Sequence, residues 1–356
     1  MYIASMFRST KLRWIILVFL LISAAGIYRL VGSDEWRQLS GQQFRDSLIH
    51  VKYSYLFIAA IFVFLSYLFR SLRWQQFLGT EGPGHFKKIF SATLIGFSAV
   101  ALLGRPGELV RPVLIARDNN RSLSSQLAAW ALERVLDSLT IGGLLGAALI
   151  WWPMSQSDGA DDWIISWRRA GLIFFAIAVS AGLLLVQLRL KPAWTSKVLD
   201  GLFRPLPLRY RELIHRQIFN FSHGLESLQS ISRLVACAAY SLLVWGCVIV
   251  AFWGILQAFE SPLPEISING IALIMSAGAV GSIAQLPGIG GGMQIATALT
   301  LNQLFHVPIG LATSAAIWLW VITFMMVIPP GLALAAREGL NWQRLRMMSR
   351  GGESIT

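Results

Sequence analysis

Two arginines and a glutamate stand in the stretch GRPGELVR at 104–111, around a helix-breaking Pro106-Gly107 pair and between apolar flanks. Glu108 and Arg111 are three apart, so they share a face if the segment after Pro106 is helical. Farther along, Glu133 and Asp137 are four apart, with Arg134 beside Glu133. An ionised side chain at the centre of a membrane helix costs about 2.5–3.5 kcal/mol to insert, so such a cluster persists only if its members are paired or face water. Two chemistries fit these residues. Arg105 and Arg111 can pair with Glu108, Glu133 and Asp137 and simply hold a hairpin shut. Alternatively, one arginine stays free to bind a phosphate while the acids act as counter-ions or proton carriers. The second is the expectation, because three acids crowding two or three arginines can exchange partners.

A second polar locus is PGIGGG at 287–292. Gly288, Gly290 and Gly291 allow tight turning, and amides exposed at the start of a half-helix can receive an anion. Gln285 and Gln294 are candidate hydrogen-bonding partners in the same cavity. No GxxxxGK[ST] follows, so this is no nucleotide-binding phosphate loop.

These loci need elements that hold them at membrane depth. The apolar run 90–103 would rise roughly 21 Å as a helix, short of the roughly 30 Å hydrocarbon core. Pro106 and Gly107 then turn the chain, and the freed backbone groups need protein or a water-filled cavity around them. The expectation is a re-entrant hairpin lining a polar cavity. Full spans are expected at 14–31, 53–69, 127–151, 171–188, 235–259 and 308–336, and a second re-entrant pair at 268–305. Ser122 or Ser124 is positioned to cap the helix that carries Glu133. The fold class is thus an all-α polytopic membrane protein with about six full transmembrane helices and two re-entrant helical hairpins. Eight full spans fit the hydropathy nearly as well.

Composition excludes other classes. The chain is 55% hydrophobic and 13% charged, with mean hydropathy +0.59, which puts it among polytopic membrane proteins as a single integral domain over 1–356. Its net charge of +12 is dispersed in loops between apolar runs, so it reads as topology and lipid-headgroup contact, not nucleic-acid binding. Cys237 and Cys247 lie ten apart in one apolar run and cannot pair along a helix. The five histidines are scattered without metal-ligand spacing, and neither a metal nor a cofactor is expected. The N-terminal run continues past its small residues Ser23 to Gly26, so it is taken as an uncleaved span.

With the N-terminus inside, the inside segments hold 23 lysines and arginines and the outside segments 6. This places both termini in the cytoplasm, with an amphipathic loop at 189–233 and a basic tail at 337–356 on the same side. The repeat halves at 90–151 and 268–336 share an order of half-helix, Pro-Gly break, short segment, turn and span. Three crossings separate the hairpins, so they would enter from opposite faces. Secondary transporters build midplane sites from such an inverted pair of broken helices.

The assembled residues GRPGELVR (104–111), ALERVLDSL (131–139) and LPGIGGG (286–292) resemble the family named for the transmembrane region of lysylphosphatidylglycerol synthase, a flippase-like family. That family usually carries a glutamate after its late glycines, where Met293-Gln294 stands here. The resemblance implies a bacterial inner-membrane domain that moves an anionic or isoprenoid-linked lipid between leaflets, with a membrane phospholipid or isoprenoid lipid as partner and no nucleic acid. About 20 residues follow the last span, so no soluble aminoacyl-transferase domain, and no enzyme, is expected. Arg105, Arg111, Glu108, Glu133, Arg134, Asp137, Gly288, Gly290, Gly291 and Gln294 are the expected headgroup-binding residues. The alternatives are an integral-membrane enzyme acting on a lipid phosphate, with Glu133 or Asp137 as base, and a non-transporting accessory subunit of envelope biosynthesis.

Overall fold

A computed structural model describes residues 46, 48–79, 83–119, 121–150, six positions between 172 and 183, 231–282, 285–286 and 290–340. The expected span at 14–31, most of 171–188, the amphipathic stretch up to 230, Pro287-Gly288 and the tail beyond 340 lie outside the described residues.

The first described helix, α1 (Tyr53–Leu78), corrects the reading that ended this span at Phe69 and left Arg70 and Arg73 in a loop. Apolar positions continue past the arginines, and Trp74, Phe77 and Leu78 are all buried. Gly79, at φ 63°, stops the helix and donates its N–H to the Gln76 carbonyl at 3.2 Å. Arg70 and Arg73 therefore point into the bundle, as does Arg111, and the inside tally falls to 20 against 6.

Helix α2 (Pro83–Leu103) is also longer than its expected 90–103. Pro83 opens it, where a missing N–H costs nothing and the fixed φ suits a first turn. Its 20 residues from Gly84 are long and apolar enough to cross a membrane, so shortness is not what makes this segment a hairpin. The path of the chain is. Gly104 (φ 70°, ψ −150°) breaks the helix, a 3₁₀ turn at Arg105–Leu109 reverses it, and α3 (Val110–Asp118) runs back along α2. Lys88 Nζ donates to the Asp118 carbonyl at 3.2 Å near the base. Nearer the tip, Gly107 lies on the backbone of Ala99 and Val100, so closely that a Cβ there would collide with the Ala99 carbonyl.

Helix α4 (Leu123–Ile150) begins where Ser122 Oγ accepts from the Ser125 N–H at 3.3 Å, one of the two caps expected. Helix α5 (Ile231–Gln257) packs antiparallel to α1, with Gly254 against Tyr55 and Ala59, and Lys52 N–H donates to the Ala258 carbonyl at 2.8 Å. Lipid chains are as apolar as leucine, so helices in a membrane gain most from close approach of small residues. Ala59, Ala251, Ala312, Ala315 and Ala316, all fully buried, fill that role here.

Two short helices lie within the stretch 268–305, where a second pair of half-helices is expected. Helices α6 (Ile268–Gly281) and α7 (Gly292–Phe305) are 14 residues each, roughly 21 Å, too short to cross singly. Ser267 caps α6 by accepting from the Gly270 N–H. The tip is an antiparallel ribbon in which β1 (Gln285–Leu286) pairs with β2 (Gly290–Gly291). The final span runs through α8 (Ile309–Trp320), a π-helical turn at Val321–Met325 and α9 (Ile328–Arg337). Pro329 and Pro330 remove backbone donors there, and neighbouring hydroxyls donate to carbonyls on either side. Tyr67 Oη donates to the Thr323 carbonyl at 3.2 Å and Ser98 Oγ to the Val327 carbonyl at 2.8 Å.

The two hairpins enter from opposite ends of the bundle. The base of the first lies by the end of the final span, where Glu338 accepts from Ser91 Oγ at 2.5 Å and Arg117 Nη2 at 3.3 Å. The base of the second lies at the other end, where Gly270 abuts Phe305 and Gln257 Nε2 donates to the Pro264 carbonyl at 2.9 Å.

Candidate functional site

Six ionised side chains from three elements meet beside the first hairpin. Helix α1 supplies Arg70 and Arg73, α3 supplies Arg111, and α4 supplies Glu133, Arg134 and Asp137. The spacing on α4 puts both carboxylates on one face. Arg73, fully buried, spans them: Nη2 donates to Glu133 Oε1 at 2.7 Å and Nη1 to Asp137 Oδ1 at 2.8 Å. Arg111 Nη1 lies 3.1 and 3.0 Å from the two Glu133 oxygens. Arg70 Nη1 reaches Asp137 Oδ2 at 3.3 Å, and Arg134 Nη2 reaches the same oxygen at 3.3 Å.

Helix α5 completes the shell. Ser241 Oγ accepts from Arg73 Nη1 at 2.8 Å, and Trp245 Nε1 donates to Asp137 Oδ1 at 3.2 Å. Aromatic faces cover the guanidinium planes: Arg111 lies 4.1 Å from the Trp74 ring centroid, and Arg70 lies 5.3 Å from that of Phe97. Trp74 is itself held by Gln126 Oε1, which accepts from its Nε1 at 3.0 Å. Gly96 on α2 gives Arg111 its place, since a Cβ there would lie 2.5 Å from the Arg111 Cβ.

Four arginines face two carboxylates, so the cluster carries an excess of two positive charges among the described residues. The buried Nε atoms of Arg73, Arg111 and Arg134 have no hydrogen-bond partner among those residues. Guanidinium groups in surplus, screened by aromatic rings from the surrounding apolar phase, are suited to holding a phosphate or carboxylate that arrives from outside.

Of the expected site residues, Arg111, Glu133, Arg134 and Asp137 come together. Arg105 and Glu108 do not join that cluster. The 3₁₀ turn sets them at the hairpin tip, where Arg105 Nη1 donates to Glu108 Oε1 at 2.7 Å. Arg105 Nη2 donates to the Ser282 carbonyl at 3.0 Å, just past α6, so the tip of one hairpin touches the other. At the second tip, the Gly291 N–H donates to Gln294 Oε1 at 2.7 Å, so Gln294 caps its own helix there. Gly290 contributes its backbone to the ribbon, while Gly288 lies outside the described residues.

Arg70, Arg73, Ser241, Trp74 and Trp245 are site residues that the sequence reading missed. The available signal was the run of Trp74, Phe77 and Leu78, which continues the helical pattern across the arginines as far as Gly79. No group of three or more His, Cys, Asp or Glu suited to a metal occurs among the described residues.

No curated protein matches the chain significantly. The sequence model of the lysylphosphatidylglycerol synthase TM region matches residues 15–331, a stretch that contains both hairpins and the whole charged cluster. The chain belongs to this family, and is thereby a membrane protein of lipid modification or translocation.

Proposed function

We infer that this protein moves a lipid between the leaflets of a bacterial inner membrane, carrying the headgroup past the tips of its two hairpins. The observation that carries the reading is the contact of those tips, Arg105 to Ser282, beside a cluster with surplus positive charge. A bilayer opposes lipid exchange because a polar headgroup has no partners in hydrocarbon. Buried guanidinium groups beside two oppositely inserted hairpins would supply those partners along the way.

In this reading both hairpins are re-entrant. Lys88, Arg117 and Arg337 gather at the cytoplasmic end, consistent with the inside excess of basic residues. The two halves, one built around each hairpin, would rock to expose the site to one leaflet and then the other. The protein acts here as a transporter and not as an enzyme. The Glu133 and Asp137 oxygens are engaged by arginines on several sides, which leaves neither carboxylate free to reach a substrate hydroxyl.

The test is exchange of labelled phospholipids between leaflets of liposomes that hold the purified protein. The expected result is exchange well above that of protein-free liposomes, abolished by Glu133→Gln in protein that remains monodisperse. Absence of exchange across phospholipid and isoprenoid-phosphate substrates would overturn the reading.

A further inference from the structure

The final span is divided between the two hairpins. Its first half, α8, packs along α7 of the second hairpin, and Asn302 Nδ2 donates to the Val307 carbonyl at 3.1 Å where the two join. Its second half, α9, packs along α2 of the first hairpin, so closely that a Cβ on Gly331 would collide with Ser98 and the Leu94 carbonyl. Glu338 ties the end of α9 to the same hairpin through Ser91 and Arg117. Between these halves the main-chain ladder is thin. The Met326 N–H reaches back five residues to the Val321 carbonyl at 3.0 Å, and Pro329 and Pro330 bring no N–H to the carbonyls four residues before them. Thr323 Oγ1 donates to the Leu319 carbonyl at 2.6 Å, a back-bond that favours bending. Beside the turn, the buried Trp320 Nε1 has no hydrogen-bond partner among the described residues, and an unmet buried donor disfavours the arrangement that leaves it so. From α1, Tyr67 Oη donates to the Thr323 carbonyl at 3.2 Å, long for an O–H···O bond.

We propose that the π-helical turn Val321–Met325 is the joint on which the second hairpin swings against the first, and that Tyr67 is its latch. A π-turn followed by two prolines concentrates bending at one place in a helix, and here the flanks of that place are packed onto different partners. Rotation at the joint would carry α8 together with α7 and α6, and leave α9 with α2 and α3. The tips would part where Arg105 Nη2 meets the Ser282 carbonyl, a side-chain hydrogen bond that breaks without unfolding either arm. Tyr67 is placed to latch the joint because its ring packs on Phe97 of α2, with centroids 4.9 Å apart, so it stands on the first hairpin's side and grips the turn through its hydroxyl. This rests on the rocking of the two halves in the translocation reading and gives that motion a pivot.

Pulsed electron spin resonance measures the swing in liposomes that hold the purified protein. One pair of spin labels, at the exposed positions Ile268 and Lys87, reports across the two hairpins, and a control pair at Lys87 and Leu332 lies within the first hairpin's side. The cross pair should give two distances and the control pair one. Tyr67→Phe, which keeps the ring and drops the hydroxyl, should shift the cross-pair populations toward the unlatched distance by roughly fivefold, the size of one neutral hydrogen bond. Pro329→Ala combined with Pro330→Ala restores two backbone donors, and should draw the populations to the latched distance and slow leaflet exchange. A single cross-pair distance that Tyr67→Phe leaves unmoved would overturn the proposal, as would a change that the control pair shares. A cross pair that moves as expected without any leaflet exchange would uphold the joint and sink translocation. Exchange with a fixed cross pair would do the reverse.

Discussion

The two hairpins share a plan of antiparallel helical arms meeting at a tip, and they close that tip by different means. The first uses side chains: Arg105 pairs with Glu108 at its end, and Arg111 is drawn onto Glu133 deeper in. The second uses backbone: β1 pairs with β2, and Gln294 caps the turn through Gly291. An ion pair can trade one partner for another of like charge, whereas a backbone ladder has no ionic partner to trade. On the proposed reading, the first hairpin would recognise the headgroup and the second would brace it.

The largest expected effect tests the side-chain closure. Glu133→Gln leaves Arg73 and Arg111 without a charged partner at that position, and breaking a buried pair in this way costs about 3–5 kcal/mol. Unfolding of the purified protein in mixed micelles would show it, and a loss no larger than that of a surface substitution would break the comparison. Next is Gly107→Ala, where a Cβ would press on the Ala99 carbonyl. Overpacking of this kind costs about 1–3 kcal/mol. Gly278→Ala in the second hairpin should cost less, since a Cβ there meets the Thr297 hydroxyl at 3.1 Å and a side chain yields more readily than backbone. Thermal unfolding of the two variants side by side compares the arms directly.

Gln294→Ala removes the acceptor of the Gly291 N–H and should cost about 1 kcal/mol, typical of a lost helix cap. Leaflet exchange should stay within about twofold of the natural protein. A collapse of exchange at unchanged stability would return Gln294 to the headgroup path. Smallest in stability is Arg105→Gln, whose exposed ion pair is worth about 0–1 kcal/mol, while on the proposed reading leaflet exchange should fall by a larger factor. That split between stability and function separates recognition from bracing.

Much of this was legible in the sequence. Charges inside apolar runs are costly, which marked Arg111, Glu133, Arg134 and Asp137 as a group, and they do meet. The Pro-Gly and glycine-rich breaks marked both hairpin tips. Arg70 and Arg73 were not legible by the same rule, because an arginine at the end of an apolar run reads as an interfacial anchor. Only the apolar positions beyond them disclose that the helix goes on. Arg105 and Glu108 looked like members of the buried group, but spacing alone does not distinguish a 3₁₀ turn at a tip from the first turn of an α-helix. Nor does a glycine run announce which of its amides is already taken, as Gly291's is by Gln294.

The central claim is that the hairpins enter from opposite faces and meet inside the bilayer, and spin-label depth tests it most directly. Labels at Pro106, Ser282 and Lys88 would be placed singly in protein reconstituted in liposomes, and their collisions with oxygen and a water-soluble nickel chelate compared. The account predicts that Pro106 and Ser282 report similar depths within the membrane, with Lys88 at the interface. Helix α2 is long enough to cross, so a Pro106 label at the far headgroups, with Ser282 at a different depth, would contradict it.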